Sequence, residues 1–315
     1  MSKTMCSPVE FPGPPRISSF SEDVQLQSLH WAERFDFTSA IKPMSWYVKS
    51  QFGLQAAREY PYASFSQLCL AGDLLTWLFS VDDMCDRASS NNMEAERMRA
   101  LLNGFLDILE NEGTPEEHIL NNGLMDIRDR FKRISPPNLY RQFCKHMTTY
   151  LRECFFEIDM QLDDYMPTIA EYFKVRPETG FSIMFPLVAI FSGLNLPDEI
   201  YEHDIIQRIE LVLNLIGGLG NDLHSLRREK SLEKAGLNLV CIAQKELNIT
   251  QEKAIQFVID QHQDHMQQLE QYRSAIPYWS KDINRQVEEY VSGVCTIVKG
   301  YDDWAILDTG RYADL

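Results

Sequence analysis

The sequence predicts an all-α fold, about ten or more helices packed around a central cavity. Three observations predict it. Apolar residues recur at three- and four-residue intervals over long stretches, most clearly 64–87, 140–162 and 205–226. Alternating runs with hairpin dipeptides, the mark of strands, are hard to find. Strong breakers at Asn111, Gly113 and Pro115, at Pro136 and Pro137, and at 177–180, 195–197 and 275–277 cut the chain into pieces of helical length. That many helices in one chain make a single large helical domain with a cavity at its centre.

Residues 1–16 hold four prolines, so an irregular arm is expected over 1–20, followed by one helical domain over 21–315. The arm lacks the basic-then-apolar layout of a secretory signal, which predicts a cytoplasmic protein. The most apolar stretch, 181–196, is short and carries Ser182, Pro186 and Asn195; it reads as a buried helix and falls short of a membrane span. Seven scattered cysteines with no CxxC pair predict reduced thiols without a disulfide framework or structural zinc. His262 and His265 are three apart on a very polar helix and are expected to be solvated. No phosphate-cradling glycine motif opens a βαβ unit, so nucleotide cofactors have no footing.

The formal charge of −16 excludes a nucleic-acid partner, which would need clustered Lys and Arg. An acidic protein can still bind an anion, but only through divalent metals or a local group of arginines.

Asp82, Asp83 and Asp86 form DDMCD after the apolar run LLTWLFSV. On a helix these carboxylates share one end of one face, where they repel each other and oppose the helix dipole. A hard cation such as Mg²⁺ would relieve that repulsion. Alone, the cluster is equally a solvated helix end, which is how Asp159, Asp163 and Asp164 are read. The second stretch, NDLHSLRRE, is more specific. Asn221, Ser225 and Glu229 lie at i, i+4 and i+8, so an amide oxygen, a hydroxyl and a carboxylate fall on one stripe suited to a Mg²⁺ ion with open positions. Gly217, Gly218 and Gly220, costly inside a helix, would let a ligand or neighbouring element come close.

With both motifs in place, the chain resembles the class I terpene cyclases of the microbial, single-domain type. DDxxD stands about 140 residues before NDxxSxx(K/R)E, and the resemblance spans about 43–312. Arg176, about 45 residues before Asn221, is similar to the family's diphosphate sensor, with Thr179 as linker and Gly180 as effector at a helix break. Relatives often carry aspartate where Thr179 stands. Arg311 and Tyr312 match the family's closing Arg-Tyr pair.

The resemblance implies the class I terpenoid synthase fold and a reaction. Three Mg²⁺ ions, with Mn²⁺ as a substitute, would be held by the acidic motif, chiefly Asp82, and by Asn221, Ser225 and Glu229. Asp83 is expected to receive an arginine, Arg176 or Arg311, rather than metal. Arg176, Arg228, Arg311 and Tyr312 would bind the diphosphate, and the end of the chain would order over it. The carbocation left behind needs an apolar, aromatic pocket, for which Phe79, Trp304, Phe155 and Phe181 are candidates. The expected substrate is farnesyl diphosphate and the released product pyrophosphate, with geranylgeranyl diphosphate as the alternative. A chain-elongating synthase should carry a second DDxxD in place of NDLHSLRRE, and a non-catalytic prenyl-binding protein would have lost these residues. Oligomeric state stays open, a homodimer being one option.

Overall fold

The computed structural model describes residues 9–88, 91–231 and 236–312, with side chains omitted at 86–88 and 231. Every regular element among them is helical. In chain order these are α1 (Ser21–Arg34), α2 (Phe37–Ala40), α3 (Met44–Ser50), α4 (Phe52–Glu59), α5 (Phe65–Ala88), α6 (Asn92–Glu110), α7 (Ile119–Ile134) and α8 (Pro137–Leu162). There follow α9 (Ile169–Val175), a 3-10 turn (Phe181–Met184), α10 (Phe185–Ser192), α11 (Asp198–Tyr201), α12 (Asp204–Ser231), α13 (Leu239–Glu246), α14 (Gln251–Ser274), α15 (Lys281–Asp303) and a π turn (Trp304–Asp308).

Local chemistry sets the ends. Pro137 opens α8, whose first turn needs no N–H there. Thr168 and Glu171 form a reciprocal capping box on α9. Asn238, Thr250 and Ser280 accept backbone N–H groups at the starts of α13, α14 and α15. The expected breakers fall between helices, and the apolar stretch 181–196 is the 3-10 turn plus α10. Short α2, α3 and α11 had no periodic signal of their own.

α5 is central. Leu68, Leu74, Trp77 and Val81 are fully buried, and it packs against α1, α4, α6, α7 and α8. α12 forms the opposite wall, held by α14 and α15. No described helix is long and apolar enough to cross a membrane. Asp159, Asp163 and Asp164 are exposed around the end of α8, as expected. His262 and His265 correct an expectation: only 4% of His262 is exposed, and both His265 ring nitrogens are buried. Ala254, Val258, His262 and Leu269 form the buried stripe by which α14 packs, so the polar sequence of this helix hid a packed face. Burial lowers the His262 imidazole, with Asp302 opposing.

Candidate active site

The acidic cluster divides by direction. Asp82 lines the central cavity, with 46% of its side chain exposed there. Withdrawal from bulk water raises its carboxyl, Arg228 opposes this, and the adjacent Asp83 charge adds to it. Asp83 turns inward and is 5% exposed. Its Oδ1 accepts from Arg228 Nη2 and Arg311 Nη2, both at 2.7 Å, and its Oδ2 meets Lys42 Nζ at 2.7 Å. Burial alone would raise Asp83, but Arg311, Arg228 and Lys42 hold it at about 2. Of the two arginines expected to reach it, Arg311 does so and Arg176 does not. Asp83 thus gathers cations and takes no place on the cavity wall. The Asp86 side chain lies outside the described residues.

On α12 the stripe is formed as the spacing predicts: Asn221, Ser225 and Glu229 all line the cavity. Asn221 Nδ2 donates to the Tyr301 hydroxyl at 2.6 Å, and Asn221 Oδ1 accepts from Arg176 Nη2 at 2.9 Å. Ser225 Oγ donates to Glu229 Oε1, while Glu229 Oε2 is buried and has no protein partner. Asp222 points away. It accepts from the Tyr172 hydroxyl at 2.8 Å and from Leu239 N at 2.7 Å, and pairs with Arg176 at 3.1 Å. Burial pushes its carboxyl up to about 6, with Arg176 working against that rise. Asp222 therefore ties α9 and α13 to α12.

Arg176 ends α9 and is 8% exposed. It also donates to Gly218 O at 3.1 Å and Thr179 Oγ1 at 3.3 Å, and its Nε is buried without a protein partner. The glycines explain this fit. A Cβ on Gly218 would sit 3.1 Å from Arg176 Nε, and one on Gly217 would sit 2.6 Å from the Phe181 ring. At Gly180 it would lie 2.1 Å from Asn214 Oδ1, the atom that accepts from Phe181 N at 2.9 Å. Asn214 also donates to Pro177 O at 2.7 Å, so one amide sets the break after α9.

Arg311 and Tyr312 are held in place by the residues just before them. Gly310 N donates to Lys49 O at 2.9 Å and Thr309 N to Trp304 O at 3.0 Å. The Arg311 guanidinium lies 4.9 Å from the Phe79 ring centre and 5.2 Å from that of Trp46. Its Nε and Nη1 are buried without protein partners. The Tyr312 hydroxyl is 3.2 Å from that of Tyr301, which joins the chain end to Asn221.

These groups share one cavity of about 620 Å³. Asp82, Arg176, Asn221, Ser225, Arg228, Glu229, Arg311 and Tyr312 line it together with Thr179, Gly180 and apolar Leu75, Leu78, Phe79, Phe181, Ile183 and Met184. The donors suit a hard divalent ion: carboxylate, amide and hydroxyl oxygens, one carboxylate oxygen buried and unpaired. Guanidinium N–H groups left without protein partners beside them suit an anion.

Residues 73–268 match the family described as terpene synthase family 2, C-terminal metal binding. The chain belongs to the terpene synthase family. It is 31% identical to a (+)-T-muurolol synthase from Roseiflexus castenholzii, whose name specifies cyclisation of farnesyl diphosphate, over 96% of this chain and 92% of that protein. It is 25% identical to a germacrene A synthase from Nostoc punctiforme, covering 100% of this chain and 97% of that one. Among solved structures, germacradien-4-ol synthase from Streptomyces citricolor superposes with a TM-score of 0.81 at 18% identity, covering 97% of this chain and 99% of that one. The class I terpene synthase fold is common to both.

Two aromatics expected on the wall of this terpene synthase are not among its lining residues. Trp304 is fully buried, donates through Nε1 to Ser50 O and Gln51 O at 3.0 Å, and backs Phe79 at 5.8 Å. Phe155 packs against the main core. Phe52 and Trp304 work from behind: Phe52 stacks on Phe79, and Trp304 packs against Phe79 and Tyr301, which line the cavity. Sequence reasoning also missed Lys42, Asn214, Tyr301, Gln55 and Glu59. Lys42, Asn214 and Tyr301 act through partners far along the chain, Gln55 and Glu59 pair one turn apart on α4, and no motif marked any of them.

Proposed function

We propose that this terpene synthase ionises farnesyl diphosphate with the help of three Mg²⁺ ions and cyclises the carbocation to a sesquiterpene, releasing pyrophosphate. One observation carries the reading. Asp82 on α5 and the Asn221–Ser225–Glu229 stripe on α12 line the same cavity, with Arg176, Arg228, Arg311 and Tyr312 beside them and apolar Leu75, Leu78, Phe79, Phe181, Ile183 and Met184 on its wall. Asp82 would hold two ions and the stripe one. Bound there, the ions would supply Lewis acidity to the leaving diphosphate.

The chain's own residues do the remainder. Arg176, Arg228 and Arg311 present donors to diphosphate oxygens, with Arg176 held ready by Asp222 and Gly218. Tyr312 adds a hydroxyl, positioned by Tyr301. Phe79 and Phe181 offer ring faces to positive charge and, with Leu75, Leu78 and Ile183, help keep water away. The farnesyl choice is supported by the relative named for that substrate and by a cavity within the usual range for a ligand of this size.

Pyrophosphate release from farnesyl diphosphate should depend on Mg²⁺. Chelation should lower it by about 1,000-fold or more, as expected when several kcal/mol of charge stabilisation is lost. Equal release with and without the metal would contradict the reading.

A further inference from the structure

The deep end of the cavity holds a carboxyl group that diphosphate ionisation does not use. Glu59, the last residue of α4, lines the cavity and is 2% exposed. Gln55, one turn earlier, also lines it and donates through Nε2 to Glu59 Oε1 at 2.7 Å. Glu59 Oε2 and Gln55 Oε1 are buried, and neither has a protein partner. Among the described residues no cation pairs with this acid. The neighbouring Arg58 guanidinium is spent on Asp308 and on Arg16 O, and Tyr60 donates its hydroxyl to Met184 O at 2.8 Å.

The position is set by the helix pair. Phe52, at the start of α4, stacks on Phe79 at 4.6 Å, while Tyr60, just past its end, packs on Phe191 at 5.1 Å, where Gln67 at the start of α5 donates to Phe191 O at 3.3 Å. α4 therefore runs antiparallel to α5, and its end at Glu59 lies below Gly72, away from Asp82. From Gly72 to Asp82 alone α5 rises about 15 Å, at ~1.5 Å per residue. A buried acid with an unpaired oxygen is costly for a purely structural role, which would close both oxygens with partners. Burial pushes the Glu59 carboxyl up to about 8, and the Gln55 amide offsets only part of that rise. At neutral pH it therefore holds a proton to give.

Resting on the cyclisation reading, we propose that Glu59 is a general acid–base which reprotonates a neutral cyclic olefin partway through the reaction and takes a proton back at its end. The first ring closure leaves a cation that loses a proton to the freed pyrophosphate, giving the olefin. The Glu59 O–H bond breaks, and its proton forms a C–H bond with the olefin's π pair. This leaves a cation on the adjacent carbon and a carboxylate on Glu59. After further ring closure the carboxylate takes a proton from the carbon beside the cation, that C–H pair becomes the final double bond, and Glu59 regains its O–H. Gln55 positions the carboxyl through Oε1, leaving Oε2 for the exchange.

The test is turnover of farnesyl diphosphate in deuterium oxide, read by mass spectrometry of the extracted terpene. The wild-type product should carry one deuterium on carbon, and Glu59→Asp should retain the label. Glu59→Gln, which keeps the shape but cannot give a proton, should yield an unlabelled isomer, one mass unit lighter than the labelled product. Flux to the wild-type product should then fall by about 100-fold or more, the usual worth of a positioned acid. Unlabelled wild-type terpene overturns the assignment of Glu59 while leaving cyclisation intact, and needs no variant to fold. The same labelled product from Glu59→Gln also overturns it. So does an unlabelled alcohol that takes its oxygen from oxygen-18 water, which would make Gln55 and Glu59 a water site.

Discussion

Asp82→Ala should lose turnover by about three to four orders of magnitude, the largest single effect expected in this protein. Asp82 is the one described carboxylate of the acidic motif that lines the cavity; the Asp83 oxygens are occupied by Arg228, Arg311 and Lys42. Its removal takes away the oxygens that would hold two ions, and Asp83 cannot replace them without giving up its cations. Stability should change little or rise, because a crowded carboxylate whose ionisation is opposed by its surroundings is being deleted. A steady-state assay beside a thermal melt separates the two outcomes. An Asp82→Ala enzyme within tenfold of wild type would remove Asp82 from the reaction.

The second large effect belongs to Arg311. Arg311→Leu should lower kcat by about 100- to 1,000-fold, the range seen when one donor to developing negative charge is removed. Two of its nitrogens, Nε and Nη1, have no protein partner, and its Nη2 is 2.7 Å from Asp83 and 3.7 Å from Asp82. Leucine keeps the contact with Phe79 and Trp46 and loses the charge. Asp83 would still be paired with Arg228 and Lys42, so the fold should survive. Deleting 309–315 should cost at least as much, because it also takes Tyr312 from Tyr301 and the anchor of Gly310 on Lys49. Undiminished turnover by the deletion would show that the chain end has no part in the site.

Much of this was legible in the sequence because it is local. The Asn221–Ser225–Glu229 stripe follows from helical spacing, and the break at 177–180 follows from proline and glycine. Asp82 and Asp83 are neighbours whose roles separate in the structure, because successive positions on a helix point about 100° apart and only one meets the cavity. Lys42 could not be read, since its meaning comes from Asp83, a partner in a different helix. Glu59 is the same case: an ordinary helical glutamate in sequence, made unusual by what surrounds it. His262 went wrong because its helix is mostly polar outside the four positions of the buried stripe. Trp304 was placed near the site by its neighbours in sequence, yet its indole N–H faces the carbonyls of Ser50 and Gln51.

The central claim, cyclisation of a fifteen-carbon diphosphate, is tested most directly by the extract itself. Purified protein would be incubated with Mg²⁺ and, separately, with geranyl, farnesyl and geranylgeranyl diphosphate, and the organic phase read by mass spectrometry. The account predicts a cyclic fifteen-carbon terpene from farnesyl diphosphate as the dominant product. A twenty-carbon cyclic product alone, a lengthened prenyl diphosphate, or no terpene from any of the three would contradict it.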